Sequence, residues 1–530
     1  VTFSAFLSSI SFLLAIYLIA LFVITYLRFV SGFLGRARFT IAILVTSALL
    51  FLAAAIVFFI NRPPKDKIRI SVLPMISEQV SDDHSWLAYA ISDQANFYLQ
   101  KTLAGEASVF PLEWIWEAID ADSAKDENYL QDFARRIKLG YAAIGKLSAN
   151  SDTCTLEWRL LDIGTMNIVK GGRYSSPSGD ALSLASALGK GISEILAKPS
   201  TSNRPQPQAV SDSMAKWQTL ASLAFSVRDY GRAVRLAETA YKADTTYLPV
   251  RNLLARANIE FGIQQERAGK SGELGQLIAL KICERTINRL DSTDAEAHRI
   301  IGKYYILRKM WNNAESHLHK AFTYDPDNAR IYYDYSHLHA SRIKTIGYRN
   351  EEAVLRRAIA LNPCYEAARL RLADLLYFNK WPKRADLAID ELLAIHPRSI
   401  EGLLFRGKMA VGSAEFDRIV KTYNRIIEID PRNADAYYNL GVFYFNSKDV
   451  DNAERFFERA VQVGDSPDAH LYLGYIYQSK GLIDKAIDEY RLRIRHSRGL
   501  DDPYADEARK RLFELTKPDS SLLKLHGSSR

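Results

Sequence analysis

The chain has 530 residues, with 69 Lys and Arg against 61 Asp and Glu and a formal net charge of +8. Acids and bases are interspersed without a long basic run, which excludes an electrostatic nucleic-acid footprint and leaves an ordinary mixed-charge surface. Three widely spaced cysteines, Cys154, Cys283 and Cys364, make no CxxC pair and exclude a cysteine zinc site; their odd number leaves at least one thiol free or paired between chains.

From Phe3 to Leu27 and from Phe39 to Ile60 there is no charged residue. Each run exceeds the ~20 apolar residues needed to cross a bilayer. A signal peptide has a shorter apolar stretch and a basic start, so residues 1–62 predict two retained transmembrane helices joined by a short basic loop. Arg28, Arg36 and Arg38 in that loop favour the cytoplasmic side, while Arg62, Lys65 and Lys67 oppose it. The uncharged N-terminal flank tips the balance toward a multi-pass protein of the bacterial inner membrane with a periplasmic C-terminal part. Pro63-Pro64 ends the second helix.

Residues 67–198 change character. Ile68 to Leu73 predicts a strand, Trp86 to Leu103 a helix, and Ser108 to Phe110 a short strand. Tyr129 to Ile137 has a helical face of Leu130, Phe133, Ala134 and Ile137. Tyr141 to Leu147, Thr153 to Asp162 and Ile168 to Tyr174 predict further strands, with Cys154, Leu156, Trp158 and Leu160 on one side of the second. Leu182 to Leu196 closes as a helix. The sum is a small α/β domain.

Four segments carry a resemblance: Ile70-Ser-Val-Leu-Pro-Met75, Trp86-Leu-Ala-Tyr-Ala-Ile91, Gly140-Tyr-Ala-Ala-Ile-Gly145 and Leu160-Leu-Asp-Ile-Gly-Thr165. In this order they resemble the TolB amino-terminal-like domain. Departures are Tyr89-Ala90, where that family favours Asp-Gly, and Met166 after Gly164-Thr165. The resemblance implies a periplasmic α/β module followed by helical repeats. It supplies no catalytic residues.

Residues 199–212 are rich in proline and polar side chains, predicting a semi-extended linker that leaves the following array free to swing. From 214 to 500 one pattern recurs every 33 to 34 residues, seen in Gly407, Gly441 and Gly474 and in Ala453 and Ala486. A period of this length with small and aromatic residues at fixed offsets predicts a solenoid of about eight helix pairs, so the fold class is mainly α behind the α/β domain. Copy two is stretched between Gly262 and Gly275, and copy four carries an extra loop near Ile346-Gly347. Residues 501–517 predict a capping helix and 518–530 a disordered tail.

This array resembles tetratricopeptide repeats. In that register a small residue at position 8 faces a large one at 24, and a proline near 32 ends the second helix. The resemblance places Tyr333, Tyr377, Phe378, Tyr438, Phe445 and Tyr475 on the inner surface, as a groove for an extended peptide or partner helix. Packing against neighbouring helices is the alternative use of the same rings. The lining is concentrated from copy four onward, so a grip is expected in the C-terminal half. The lysine and asparagine clamp of chaperone-binding relatives is missing from the corresponding positions.

Catalytic signatures are not found. Gly269-Lys270-Ser271 resembles the end of a phosphate loop, but Gln264 stands where the motif needs glycine, so an exposed loop is expected. His298, His317, His319, His337 and His339 raise a metal or proton-sensing cluster as a candidate, although each His-x-His pair points its rings about 200° apart on a helix. The expectation is a protein that is not an enzyme, with no cofactor and no metal: a membrane-anchored scaffold that binds a protein or peptide partner through its repeat groove. The alternative is a sensory or regulatory module of a membrane signalling system, adenylate-cyclase-associated or CadC-like, acting through a partner.

Overall fold

The computed structural model describes residues 67–517, apart from 79–85, 104–105, 120–122, 151, 178–179, 181, 197–210, 465, 498 and 500. The two predicted membrane runs, the proline-rich linker before 211 and the tail after 517 lie outside the described residues. Among the described residues no helix is long and apolar enough to cross a membrane.

The α/β region is a mixed sheet in the order β3-β1-β4-β5-β6. Its strands are β1 (Ile68–Val72), β2 (Ile76–Glu78), β3 (Ala107–Val109), β4 (Tyr141–Ala149), β5 (Thr153–Asp162) and β6 (Ile168–Pro177). β1 pairs in parallel with β3 and β4, β2 adds to β4, and β4-β5-β6 form an antiparallel meander. Period-two alternation decides the faces. Cys154, Leu156, Trp158 and Leu160 all point into one core, as expected, under helices α1 (Leu87–Thr102) and α4 (Ser183–Leu196). Ala142, Ile144 and Leu161 face the other way, under α3 (Glu127–Arg136) and the short α2 (Leu112–Trp116). Neither β2 nor α2 was expected from the sequence.

Helix hairpins follow: α5 (Asp212–Ser226) with α6 (Tyr230–Ala243), α7 (Leu248–Arg267) with α8 (Glu273–Arg289), and α9 (Ala295–Leu307) with α10 (Trp311–Tyr324). In copy four the first helix is broken into α11 (Ala329–Tyr335) and α12 (Ala340–Ile343) before α13 (Glu351–Leu361). The next pairs are α14 (Glu366–Phe378) with α15 (Pro382–Ile395), α16 (Ile400–Ser413) with α17 (Phe416–Ile429), α18 (Ala434–Asn446) with α19 (Val450–Gly464), and α20 (Pro467–Ser479) with α21 (Ile483–Arg495). The cap is α22 (Pro503–Thr516). Asp and Asn side chains start many of these helices by accepting from backbone N–H groups, for example Asn433 from Ala436 and Asp502 from Tyr504 and Ala505.

The small-against-large rule holds in three dimensions. A methyl group on Gly441 would lie 2.7 Å from the Phe457 ring, so the pair of helices can approach this closely only with glycine there. The stretch in copy two is absorbed by longer helices rather than by a loop. α7 runs for 20 residues and α8 for 17. Gly262, Gly272 and Gly275 let their backbones touch where any side chain would collide. All three cysteines are free and buried.

Candidate functional site

The linker expectation of a swinging array is corrected by the packing. The described residues from 68 to 517 form one compact unit, and the α/β region shares its core with the repeats. Cys364 and Ile395, from the ends of repeats four and five, sit in the same apolar cluster as Phe133, Ile115 and Ile163. Arg69 donates to the carbonyl of Ala360 at 3.2 Å, and Arg136 to that of Ala394 at 2.9 Å. A tether before 211 does not set the geometry when the two ends of the joint are already packed together.

Helix α2 carries the centre of this joint. Leu112 and Ile115 are buried beneath it, which turns Glu113 and Glu117, one helical turn apart, away from that core. Glu113 accepts from Arg256 of α7 at 2.8 and 2.9 Å and from Arg330 of α11 at 2.7 Å. Burial alone would raise the Glu113 pKa, but the two guanidinium groups hold it below its ordinary value. The chain of charge continues through Glu296 to Arg299 at 2.8 Å, then to Asp334 at 2.6 Å. Lys303 pairs with Glu260, and Arg228, in the turn of the first hairpin, reaches both Glu366 and Glu401. The charged groups on the inner helices α7, α9 and α11 are therefore paired internally.

Two carboxyls at this joint are pushed the other way. Burial raises Asp93 to about 7, helped by Glu113 and opposed by Arg256. Burial raises Glu117 to about 8, with Arg330 and Arg228 opposing and Glu113 and Glu366 assisting. Asp93 lines a cavity of about 20 Å³ with Tyr89, Trp116 and Thr219, space on the scale of one water molecule.

The histidines behave differently from a sensor cluster. His298 and His317 face each other through their Nδ1 atoms at 3.1 Å, and burial pushes His298 down and His317 down to about 4. Burial also takes His337 to about 4. Burial disfavours the charged form of all three, which opposes the proton-sensing expectation. His319 is exposed, and His339 caps α12 by accepting from Ser341. Among the described residues no group of three metal-ligating side chains forms. Gly269, Lys270 and Ser271 form the exposed turn between α7 and α8.

The six groove candidates separate into two sets. Tyr438, Phe445 and Tyr475 come together around Tyr472, which the sequence reading missed. Its ring lies 6.0, 5.3 and 6.1 Å from theirs and stacks on Phe457 at 4.9 Å. All four are half-buried. The other three stand apart. Tyr333 is wedged between Tyr365 and His337 among the charged groups of the joint, Tyr377 packs on Phe405, and Phe378 is 79% exposed. Tyr472 was legible: it lies one turn before Tyr475 on the same stripe of α20.

The last hairpin is locked to the cap. Fully buried Arg493 donates to Asp502 at 2.7 Å and pairs with Asp468 at 3.0 Å. Arg511 of α22 lies over the Tyr475 ring at 5.4 Å.

Residues 422–455, from α17 into α19, match the Tetratricopeptide repeat family model. The chain carries tetratricopeptide-type repeats. It is 24% identical to the human mitochondrial import receptor subunit TOM70 over 255 residues, 46% of this chain and 40% of that protein. It is 26% identical to Drosophila melanogaster protein O-mannosyl-transferase Tmtc3 over 162 residues, 30% of this chain and 17% of that protein. The matched part is thus less than half the length of these relatives. Among solved structures, yeast Tom70 aligns with a TM-score of 0.42 at 16% identity, covering 66% of this chain and 78% of that one. The Cut9-Hcn1 hetero-tetramer aligns with a TM-score of 0.41 at 14% identity, covering 81% and 72%.

Proposed function

We propose that the protein is a non-catalytic scaffold that grips a protein partner in the section of its repeat groove formed by α18, α20 and α22. The observation that carries this is the contrast within one array. The inner helices α5, α7 and α11 of the first four repeats meet the chain's own α/β region, whereas Tyr438, Phe445, Tyr472 and Tyr475 form a half-buried aromatic lining. Aromatic rings give large contact area at low conformational cost, which suits a peptide-binding face. The uncharged runs at 3–27 and 39–60 support a membrane-held scaffold, and the TolB-like order of segments supports a periplasmic location.

A photo-crosslinking side chain placed at Phe445 of the full chain in its host should yield a discrete adduct. The adduct should fade in Tyr472→Ala, and the same probe at Tyr333 should give none. Equal adducts at Tyr333 and Phe445 would remove the groove assignment.

A regulatory role is the second reading, supported by Asp93 and Glu117. Both titrate near neutral pH inside the joint between the α/β region and the repeats, so proton concentration biases how firmly the two hold together. In this reading the carboxyls, not the histidines, are the sensing groups, and the output passes through a partner of a membrane signalling system.

A further inference from the structure

The chain reversals inside hairpins three to five lie at the same ends of neighbouring helix pairs. They span 308–314 between α9 and α10, 339–350 around α12, and 377–385 between α14 and α15. Neighbouring reversals touch. Arg342 donates to Asn312 at 2.7 Å and pairs with Glu315, and Arg384 pairs with Glu352 at the start of α13. The three therefore make one continuous edge of the array, outside its inner groove.

The three spans hold eight Lys and Arg and no Asp or Glu. Three of the eight are used on acids from elsewhere: Arg308 on Glu273, Arg342 on Glu315 and Arg384 on Glu352. Lys309, Lys344, Arg349, Lys380 and Lys383 are exposed and pair with no acid among the described residues. Against these five stands exposed Asp374, one turn before Phe378 on α14. The same edge leaves large apolar side chains in water: Met310, Trp311, Phe378 and Trp381 are 47%, 41%, 79% and 45% exposed. Exposed apolar groups gathered in one place mark a contact surface. Turns in the other hairpins set acids beside their apolar residues, as Asp229, Glu273, Glu415, Asp449 and Asp484 do. The acid-free edge is thus particular to hairpins three to five and is not a property of the repeat.

We propose that this edge rests on an anionic bilayer surface, with Met310, Trp311, Phe378 and Trp381 at the level of the headgroups and the five unpaired cations against lipid phosphates. Tryptophan beside lysine suits the boundary between headgroups and acyl chains, and each lysine or arginine near an anionic leaflet adds attraction. A row of reversals offers no cleft for a peptide, but it does offer several contacts to a broad surface. The uncharged runs at 3–27 and 39–60 of the same chain bring a bilayer within reach. The inference rests on the reading of the protein as membrane-held.

The test uses the full chain in nanodiscs of phosphatidylcholine, alone or with about one third phosphatidylglycerol. An environment-sensitive thiol dye is placed at Met310→Cys or Phe378→Cys; the three native thiols are buried. Arg432→Cys, exposed in the turn between α17 and α18 and so at the opposite helix ends, is the control. In anionic discs the dye at 310 and 378 should shift to the blue and be quenched by spin-labelled lipid, while the dye at 432 stays in water. Quenching should fall several-fold in neutral discs, and equally in the combined Lys309→Glu, Lys344→Glu and Lys380→Glu variant, whose melt should be unchanged because these side chains are exposed and unpaired. Equal quenching in neutral and anionic discs overturns the anionic assignment. Dyes at 310 and 378 as wet as the one at 432, in discs that retain the chain, overturn the edge and leave the membrane-held reading standing. A chain that does not stay in discs overturns both. Dyes that meet no lipid, with a crosslinker at 310 that captures protein in the host, assign the edge to an acidic protein partner instead.

Discussion

The two halves of the repeat array use the same hairpin for opposite ends. In repeats one to five the inner helices carry Arg256, Glu296, Arg299, Lys303 and Arg330, and these charges are consumed by one another and by Glu113 of the α/β region. In the last two repeats the corresponding faces carry tyrosines and a phenylalanine that are only half covered. A charged inner face buried without partners would be costly, so the first half needs its α/β plug. An aromatic face tolerates partial exposure, so the second half can stand open until something arrives. What an array binds is therefore read from which of its inner faces remains unsatisfied, and not from the repeat count.

The largest effect should come from breaking the plug. Glu113→Ala leaves Arg256 and Arg330 facing each other across a joint where their side chains are 12% and 17% exposed. Loss of one partner from such a buried cluster costs about 3–5 kcal/mol. Urea or thermal unfolding of the full chain measures this, and limited proteolysis should show new cuts in the α/β region. A loss below about 1 kcal/mol would mean the joint is held by its apolar core alone.

That core supplies the next prediction. Ile395 is 5% exposed and packs among α/β residues although it belongs to repeat five. Ile395→Ala should cost about 2–4 kcal/mol. A split of the melt into two transitions would accompany it if the plug separates from the repeats before either unfolds; a single, unshifted transition would deny the shared core.

Third in size is the pH response of the joint. The Glu117 carboxyl, raised to about 8 by burial, keeps its proton in the folded protein but loses it in the unfolded chain. Its contribution is complete at acid pH and is lost as pH rises through the folded value. Burial holds His298, His317, His337 and His396 below the ordinary histidine value, so above pH 6.5 they are mostly neutral in both states and largely cancel. Glu113, Glu260 and Glu296 are held low and matter only in acid. Stability should fall by about 2–3 kcal/mol between pH 6.5 and 8.5, the larger part from Glu117 and the rest from Asp93, raised to about 7 in the same joint. In Glu117→Gln most of that fall should vanish; an unchanged fall would place its origin elsewhere.

Much of this architecture is legible in the chain because it is local. Strand alternation in Thr153–Asp162 and the small-large pairing of Gly441 with Phe457 are decided within a few tens of residues, and both appear where expected. The joint is illegible for the converse reason. Helix α2 has five residues after a proline, too few to show a period, and Glu113 meets partners 143 and 217 positions away. A proline-rich stretch between two domains signals freedom only when the domains do not touch, and contact at that distance leaves no trace in composition. The groove was less legible: register proposes ring positions, but which rings share a surface depends on contacts between helices, which set Tyr333 against Tyr365 and His337 and Tyr438 against Tyr472.

The smallest predicted effect separates lining from ornament in the open half. Phe378 was expected on the same inner surface as Tyr438, yet it is 79% exposed and makes none of the ring contacts that tie Tyr438, Phe445, Tyr472 and Tyr475 together. Phe378→Ser should change stability by less than about 0.5 kcal/mol and leave the Phe445 crosslink intact. Should it instead abolish the crosslink while Tyr472→Ala does not, the gripping surface would have to move from α18 and α20 to the turn after α14. The aromatic ladder would then be packing between hairpins, and the contrast between the closed and open halves would lie one repeat earlier in the chain.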